Sequence, residues 1–259
     1  MKILLLGSNG FIGRGIGLNL EKIHELRRIN RDTSLFDLFT TGEEFDFIIN
    51  CASSTASADS KRAKENNFSY PSTILRNVRT RHWVQIESYF QLQIPMGRRD
   101  AYTIEKQKFS HYLEKVENSR LVPSIHHLYL PHVFGEGERP ERLIASAISS
   151  FRNFRPLETS SGSQQLPILH ISDAVLGITK FLESPNKSAA CTPFWYGSVK
   201  QLIELIGSQF PEVQVMHGRK ADPIDSNFPK VEFPKAVENW VPQMQLDEFL
   251  KWVRTHGNR

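Results

Sequence analysis

"KILLLGSNGFIGRG", residues 2–15, carries the strongest structural signal in the chain. An apolar run of strand length ends at Gly7, and Gly10 and Gly13 follow as helical spacing begins. That order predicts a strand, a tight turn and a helix. Glycine permits the sharp turn, bares backbone N–H groups and lets the main chain approach a pyrophosphate closely. The N-terminus of the helix adds a favourable potential for an anion. The spacing is GxxGxxG, whereas the common dinucleotide fingerprint is GxGxxG, so glycines that merely shape a turn are the plain alternative. The position between strand and helix favours nucleotide binding, with Gly7, Asn9, Gly10, Phe11, Ile12 and Gly13 as candidate contacts.

Working outward, short apolar runs alternate with helical patterns. The runs at 2–7, 45–52, 82–88, 124–131 and 167–172 read as strands, and 11–21, 65–77 and 102–117 read as helices. The alternation predicts an α/β fold, a Rossmann-type doubly wound parallel sheet with helices on both faces. Beyond about residue 135 prolines and loops become frequent, and helices at 199–207 and 246–254 follow without a continuing alternation. The expected division is a dinucleotide-binding core over 1–134, with 165–182 returning to it, and a smaller lobe over 135–259.

The net charge of +4 is too small, and its basic residues too dispersed, to argue for nucleic acid; an anionic small molecule suits it equally. No apolar run has the length of a membrane span, and "MKILLLGSNG" is too short for a secretory core, so no membrane partner is expected. Cys51 and Cys191 form no disulfide framework, and Cys51 in "FIINCA" reads as a buried thiol, consistent with a cytoplasmic protein. The nine histidines show no metal-ligand spacing: the pair at 126–127 lies in a strand, where neighbours face opposite ways. His132 reads as a packed loop histidine or a residue of a cleft.

An acidic residue about 20 positions after the glycine turn would hold the adenosine ribose and favour NAD. The chain has "HELRRINRD" there, with Asn30 and Arg31 at the expected place. A guanidinium pairs with a 2′-phosphate where a carboxylate would repel it, so NADP is expected and NAD is the lesser candidate. The competing reading leaves Arg31 solvated and gives the ribose to Asp32.

"RRDAYTIEKQKFSHYL", residues 98–113, sets Tyr102 and Lys106 one helical turn apart. Tyr102, Lys106, Phe109, Leu113 and Val116 form one stripe. A lysine leading an apolar stripe is out of place on a wet face, although one that snorkels from the stripe's end is the alternative. A free phenol titrates near pH 10, and a neighbouring ammonium favours its phenolate. Such a phenol can protonate a developing alkoxide or deprotonate an alcohol. Ser88, at the end of the strand "HWVQIES", is positioned as a second donor to the same oxygen, or else as a turn-forming serine.

With the glycine turn, "NCAS" after a strand, and YxxxK, the chain resembles the short-chain dehydrogenase/reductase superfamily. Within it, the match is to the extended NAD-dependent epimerase/dehydratase branch. "GSNGFIG" is similar to that family's cofactor turn and "ENNFSYP" to its helix with Asn67. "LPHVFGEGE" is similar to its RPxxVYG segment, "SSGSQQLPILHISDAV" to its GxxxQxRDFxxVxD segment, and "ENWVPQMQLDEFLKWV" to its LGWxPxxxLxxxL close. The resemblance implies Ser88, Tyr102 and Lys106 as the catalytic triad. It implies cofactor contacts from Cys51, Ala52, Ser53, Asn67, Pro131 and Val133, from Tyr102 and Lys106 themselves, and from Asn30 and Arg31. It also implies a nucleotide-sugar substrate and leaves room for a homodimer built on the YxxxK helix.

Leu130 and Leu166 stand where the family carries arginines, Pro167 follows, and the loop from Ser88 to Tyr102 is compact, with Arg98 and Arg99 facing either a phosphate or water. The pattern is most like the reductases of NDP-4-keto-6-deoxysugars that serve O-antigen deoxysugar biosynthesis, CDP-abequose and CDP-paratose synthases among them. An NAD-dependent epimerase is the close alternative, and a non-catalytic NADP-sensing protein is an alternative of another class.

The charge at position 31 yields a direct test. Arg31→Ala is expected to weaken NADPH binding far more than NADH binding in fluorescence titrations; equal losses would refute the phosphate assignment.

Overall fold

The computed structural model describes residues 1–30, 32–54, 60–118 and 124–255. In chain order the elements are β1 (Lys2–Leu6), α1 (Phe11–Leu20), β2 (Glu25–Ile29), α2 (Phe36–Thr40), β3 (Glu44–Asn50), α3 (Ser60–Lys64), a π-helical turn (Glu65–Ser69) and α4 (Tyr70–Asn77). Then come β4 (Arg79–Ser88), a 3-10 helix (Tyr89–Met96), α5 (Ala101–Asn118), β5 (Ser124–Leu130), β6 (His132–Phe134) and α6 (Leu143–Arg152). The last elements are β7 (Leu157–Glu158), β8 (Gln165–His170), α7 (Ile171–Glu183), β9 (Ser188–Ala190), β10 (Trp195–Ser198), α8 (Val199–Gly207), β11 (Val215–Met216) and α9 (Leu246–Thr255).

The chain divides into two compact units. The first comprises Met1–Leu130, Val175–Cys191 and Phe233–Trp240. Its sheet is parallel throughout and runs β2-β1-β3-β4-β5-β9. This is the doubly wound, Rossmann-like architecture, with one strand outside β1. The order reverses between β1 and β3, the crevice where ligands of such sheets bind. Ile3, Leu4, Leu5 and Leu6 are all fully buried, as a central strand covered on both faces requires. The β2 edge, "ELRRI", is polar: Arg27 pairs with Glu43 and Arg28 with Glu21, a composition that discourages pairing with another chain.

The stripe read on the helix after residue 101 is buried in the first unit. Phe109 and Leu113 join Leu4, Ile48, Leu75 and Trp83 in one cluster, with Val116 packed against it. The Phe109 ring lies 5.9 Å from that of Trp83 and 6.1 Å from that of Phe68.

The second unit comprises Pro131–Ala174, Thr192–Glu232 and Val241–Arg259. It holds the small sheets β10-β8-β6 and β11-β7. Phe134 anchors its core, with Phe194, Phe249 and Trp252 at 5.3–6.1 Å between ring centres. The run 167–172 is not a strand to its end: the strand stops at His170 and α7 begins at Ile171. Asp173 in that first turn is buried and accepts the N–H groups of Gln243 and Met244 at 3.0 Å, which fixes the switch from strand to helix. Among the described residues no helix is long and apolar enough to cross a membrane.

Truncating the stripe should register as lost stability. Phe109→Ala is expected to cost about 3–5 kcal/mol in urea unfolding, as large aromatic truncations do. A loss below about 1 kcal/mol would place Phe109 outside the cooperative core.

Candidate active site

The glycine turn is closed to side chains. Gly7 has φ +75°, and a Cβ there would meet the Ala52 nitrogen at 2.6 Å. A Cβ on Gly13 would sit 2.2 Å from the Gly7 carbonyl oxygen. The turn therefore packs backbone on backbone, against the segment Cys51–Ala52 that leaves β3. Gly10 is the N-cap of α1 and supplies no side-chain cap, so the first-turn N–H groups from Phe11 and Ile12 onward are left to water or a ligand. Asn9 and Gly10 are exposed, and Phe11 and Ile12 half-buried. A cradle that excludes any Cβ, opening on an uncapped helix N-terminus, fits a dinucleotide pyrophosphate.

Two buried amides hold the walls of this crevice. Asn50 Oδ1 accepts the Ala52 N–H at 3.1 Å while its Nδ2 donates to Gln85 Oε1 at 2.8 Å, tying the exit of β3 to β4. Asn67 lies in the π-helical turn, and its amide pairs both ways with the backbone of Ser54, at 2.9 and 3.3 Å. The helix read over 65–77 thus begins earlier, at Ser60, and is interrupted where Asn67 reaches this loop. Cys51 is half-buried; burial pushes its thiol up to about 12 although the Lys106 charge pulls the other way. Ser53 is exposed.

Beyond β2, Asn30 caps a turn: its Oδ1 accepts the Asp32 N–H at 2.8 Å and its carbonyl accepts the Tyr70 hydroxyl at 3.3 Å. Arg31, the candidate phosphate ligand, lies outside the described residues.

At the far end of β4, Ser88 caps the 3-10 helix. Its Oγ accepts the Phe90 N–H at 3.3 Å, and Gln91 Oε1 accepts the Ser88 N–H at 2.9 Å, a reciprocal capping box. Ser88 is therefore a turn-forming serine, yet the cap uses only a lone pair of Oγ and leaves the hydroxyl proton able to donate. Asp100 caps α5 through the Thr103 N–H at 2.9 Å. Arg98 is neither solvated nor extended: it pairs with Asp100 at 2.6 Å, donates to Gln93 at 2.9 Å and lies 3.6 Å from the Phe90 ring centre. Arg99 is exposed and donates to the carbonyls of Ile94 and Arg98. This clasp fastens the 3-10 helix to the start of α5, where the half-buried Tyr102 meets Phe90 edge to face, 6.4 Å between rings.

Lys106 does not snorkel. It is 3% exposed, and its Nζ donates to the Ile86 carbonyl at 2.7 Å and stands 3.7 Å from Glu87 Oε2. Sequence reasoning missed Glu87; the one local signal was a carboxylate directly after the buried run Trp83–Ile86 at the end of β4. Burial raises the Glu87 carboxyl, but hydrogen bonds from His127 and Ser110 and the Lys106 charge outweigh it and hold it below the usual carboxylate range. The 126–127 pair does split across β5: His127 turns to Glu87, while His126 meets His82 at 3.1 Å.

In the second unit, buried Pro131 leads into β6, where Val133 pairs with Leu169. His132 is a packed strand residue, not a loop one. Its ring lies 3.2 Å from Arg142, and burial, helped by that charge, lowers it to about 3. Among the described residues no group of three or more His, Cys, Asp or Glu side chains could hold a metal ion.

Comparison with known proteins agrees with this architecture. The model of the NAD dependent epimerase/dehydratase family matches residues 3–193, and the chain belongs to that family, the extended branch of the short-chain dehydrogenase/reductases. The family is one of NAD(P)-dependent enzymes. A curated relative, UDP-2-acetamido-2,6-beta-L-arabino-hexul-4-ose reductase of Pseudomonas aeruginosa, is 24% identical over 211 residues, 79% of this chain; the chain spans about half of that protein, 56% of its length. Among solved structures, UDP-glucuronic acid 4-epimerase from Bacillus cereus, bound to UDP-glucuronic acid and NAD, superposes with TM-score 0.80 at 16% identity over 98% of this chain and 99% of its own. RMD from Pseudomonas aeruginosa, complexed with NADPH, gives 0.79 at 15% over 98% and 97%. Both share the fold.

The cradle can be tested by filling it. Gly13→Ala is expected to lower NADPH affinity at least about tenfold, about 1.4 kcal/mol, in fluorescence titration. Unchanged affinity would contradict a backbone-lined pyrophosphate site.

Proposed function

We propose that the protein is an NADPH-dependent reductase of a keto group, at C4, on a nucleotide-linked deoxysugar. The observation that carries this reading is the buried Lys106 ammonium one helical turn from Tyr102, beside the last residues of β4 and within the unit that holds the glycine cradle. The bound dinucleotide would supply the hydride; the chain's residues handle the proton and the geometry. Tyr102 gives its phenolic proton to the oxygen of the substrate as negative charge develops there. Ser88, its hydroxyl oriented by the Phe90 N–H, donates a hydrogen bond to the same oxygen. Lys106 favours the phenolate left behind and would hold the nicotinamide ribose. The N–H groups of Phe11 and Ile12 would hold the pyrophosphate, and Cys51, Ala52 and Asn67 would form the wall of the dinucleotide site.

Three points support reduction over epimerisation: an arginine at sequence position 31, where the NAD fingerprint carries a carboxylate, the reductase name of the curated relative, whose substrate is a UDP-linked hexulose, and the NADPH complex of RMD. The epimerase alternative is kept by the Bacillus cereus neighbour, which binds NAD. It makes a distinct demand, a tightly held NAD with no net consumption.

Purified protein should oxidise NADPH in the presence of one of a panel of nucleotide-linked 4-keto-6-deoxyhexoses and not in its absence. Tyr102→Phe should abolish that turnover while NADPH affinity stays within about twofold, because the hydroxyl acts only when the alkoxide forms. Turnover near wild type in the variant would remove Tyr102 from the chemistry.

A further inference from the structure

Beside the Tyr102–Lys106 pair lies a buried carboxylate that the steps above do not use. The Glu87 side chain has no exposed surface. Its Oε1 accepts the Ser110 hydroxyl and lies 2.8 Å from His127 Nδ1. Its Oε2 has no hydrogen-bond partner and stands 3.7 Å from Lys106 Nζ. The groups that face this charge come from every neighbouring element. Lys106 and Ser110 belong to α5, and His127 and Tyr129 to β5; Glu114 of α5 acts on Tyr129 alongside Glu87. Gln91 reaches Ser110 from the 3-10 helix, and Cys51 faces Lys106 from the end of β3.

We propose that Glu87 is a positioning residue, a buried counter-charge that holds the Lys106 ammonium at the end of β4 and keeps the Tyr102–Lys106 pair in its proton-bearing form. The proposal rests on the reductase reading of that pair. An ammonium taken out of water is retained only if another charge or a set of dipoles offsets the lost hydration. The Ile86 carbonyl supplies one hydrogen bond, and the Glu87 carboxylate supplies the charge. With that charge removed, the pair has one positive charge too many for its surroundings. The proton needed for reduction is then lost earlier on the alkaline side of the rate profile.

The test compares the pH–rate profiles of wild type, Glu87→Gln and Glu87→Asp. In Glu87→Gln the alkaline limb should move down by about one pH unit or more, the usual effect of one close charge, and Glu87→Asp should restore most of it. A lower rate with an unmoved limb in Glu87→Gln would mean a merely structural role and overturn the proposal. A second measurement needs neither turnover nor a folded Glu87 variant. Carbon NMR of the Glu87 carboxyl should show its titration midpoint higher in Lys106→Met than in wild type, because the ammonium no longer favours the carboxylate. An unchanged midpoint would overturn the pairing. Failure of the reductase reading, with no keto sugar reduced, would leave this second result standing, so the two failures are separable.

Discussion

An ammonium buried between a helix and a parallel sheet carries a penalty of several kcal/mol unless its surroundings answer it. Lys106 meets that condition through the Ile86 carbonyl at 2.7 Å and the Glu87 carboxylate at 3.7 Å. Much of the site's construction follows from this constraint. β4 has to end where its carbonyl and carboxylate can reach α5, and α5 has to enter the core with Lys106 at the head of its buried stripe. Phe109 and Leu113 set the rotation of the helix by packing under the sheet. Tyr102, one turn earlier, then emerges half-buried at the carboxyl end of the strands, the end at which doubly wound folds bind ligands. Ser88 follows Glu87 directly, so the same strand end supplies both the buried charge and the half-buried hydroxyl.

The glycine turn solves a different problem with the same economy of parts. It puts backbone where side chains would block a pyrophosphate, and the closest approaches are to the backbone of Cys51 and Ala52 and of the turn itself. Asn50 and Asn67 replace backbone partners that the loop after β3 would otherwise lack. Gln85 links Asn50 to the strand that carries Glu87 and Ser88. A continuous set of buried polar bonds thus runs from the floor of the cradle to the residues beside Tyr102.

The fold was legible because it is written in local patterns. "KILLLGSNGFIG" shows a strand, a turn and a helix in a single stretch, and the buried stripe led by Lys106 follows from helical spacing alone. Boundaries fared less well where tertiary bonds decide them. Asp173 ends a strand by capturing N–H groups of residues 243 and 244, far off in sequence, and the π-helical turn exists because Asn67 reaches Ser54. Glu87 escaped notice for the same reason: its partners, Lys106, Ser110 and His127, come together only when α5 and β5 pack against β4. Arg98 read as facing either a phosphate or water because its contacts with Phe90, Gln93 and Asp100 depend on the shape of a 3-10 helix that spacing does not announce.

The most direct test of the central claim is a crystal structure of the protein with NADP+ bound. The account predicts the pyrophosphate on the N–H groups of Phe11 and Ile12, with the Tyr102 hydroxyl and the Lys106 ammonium both turned to the nicotinamide ribose. Density for the dinucleotide away from the glycine turn, or a Tyr102 phenol facing solvent with the nicotinamide elsewhere, would contradict it.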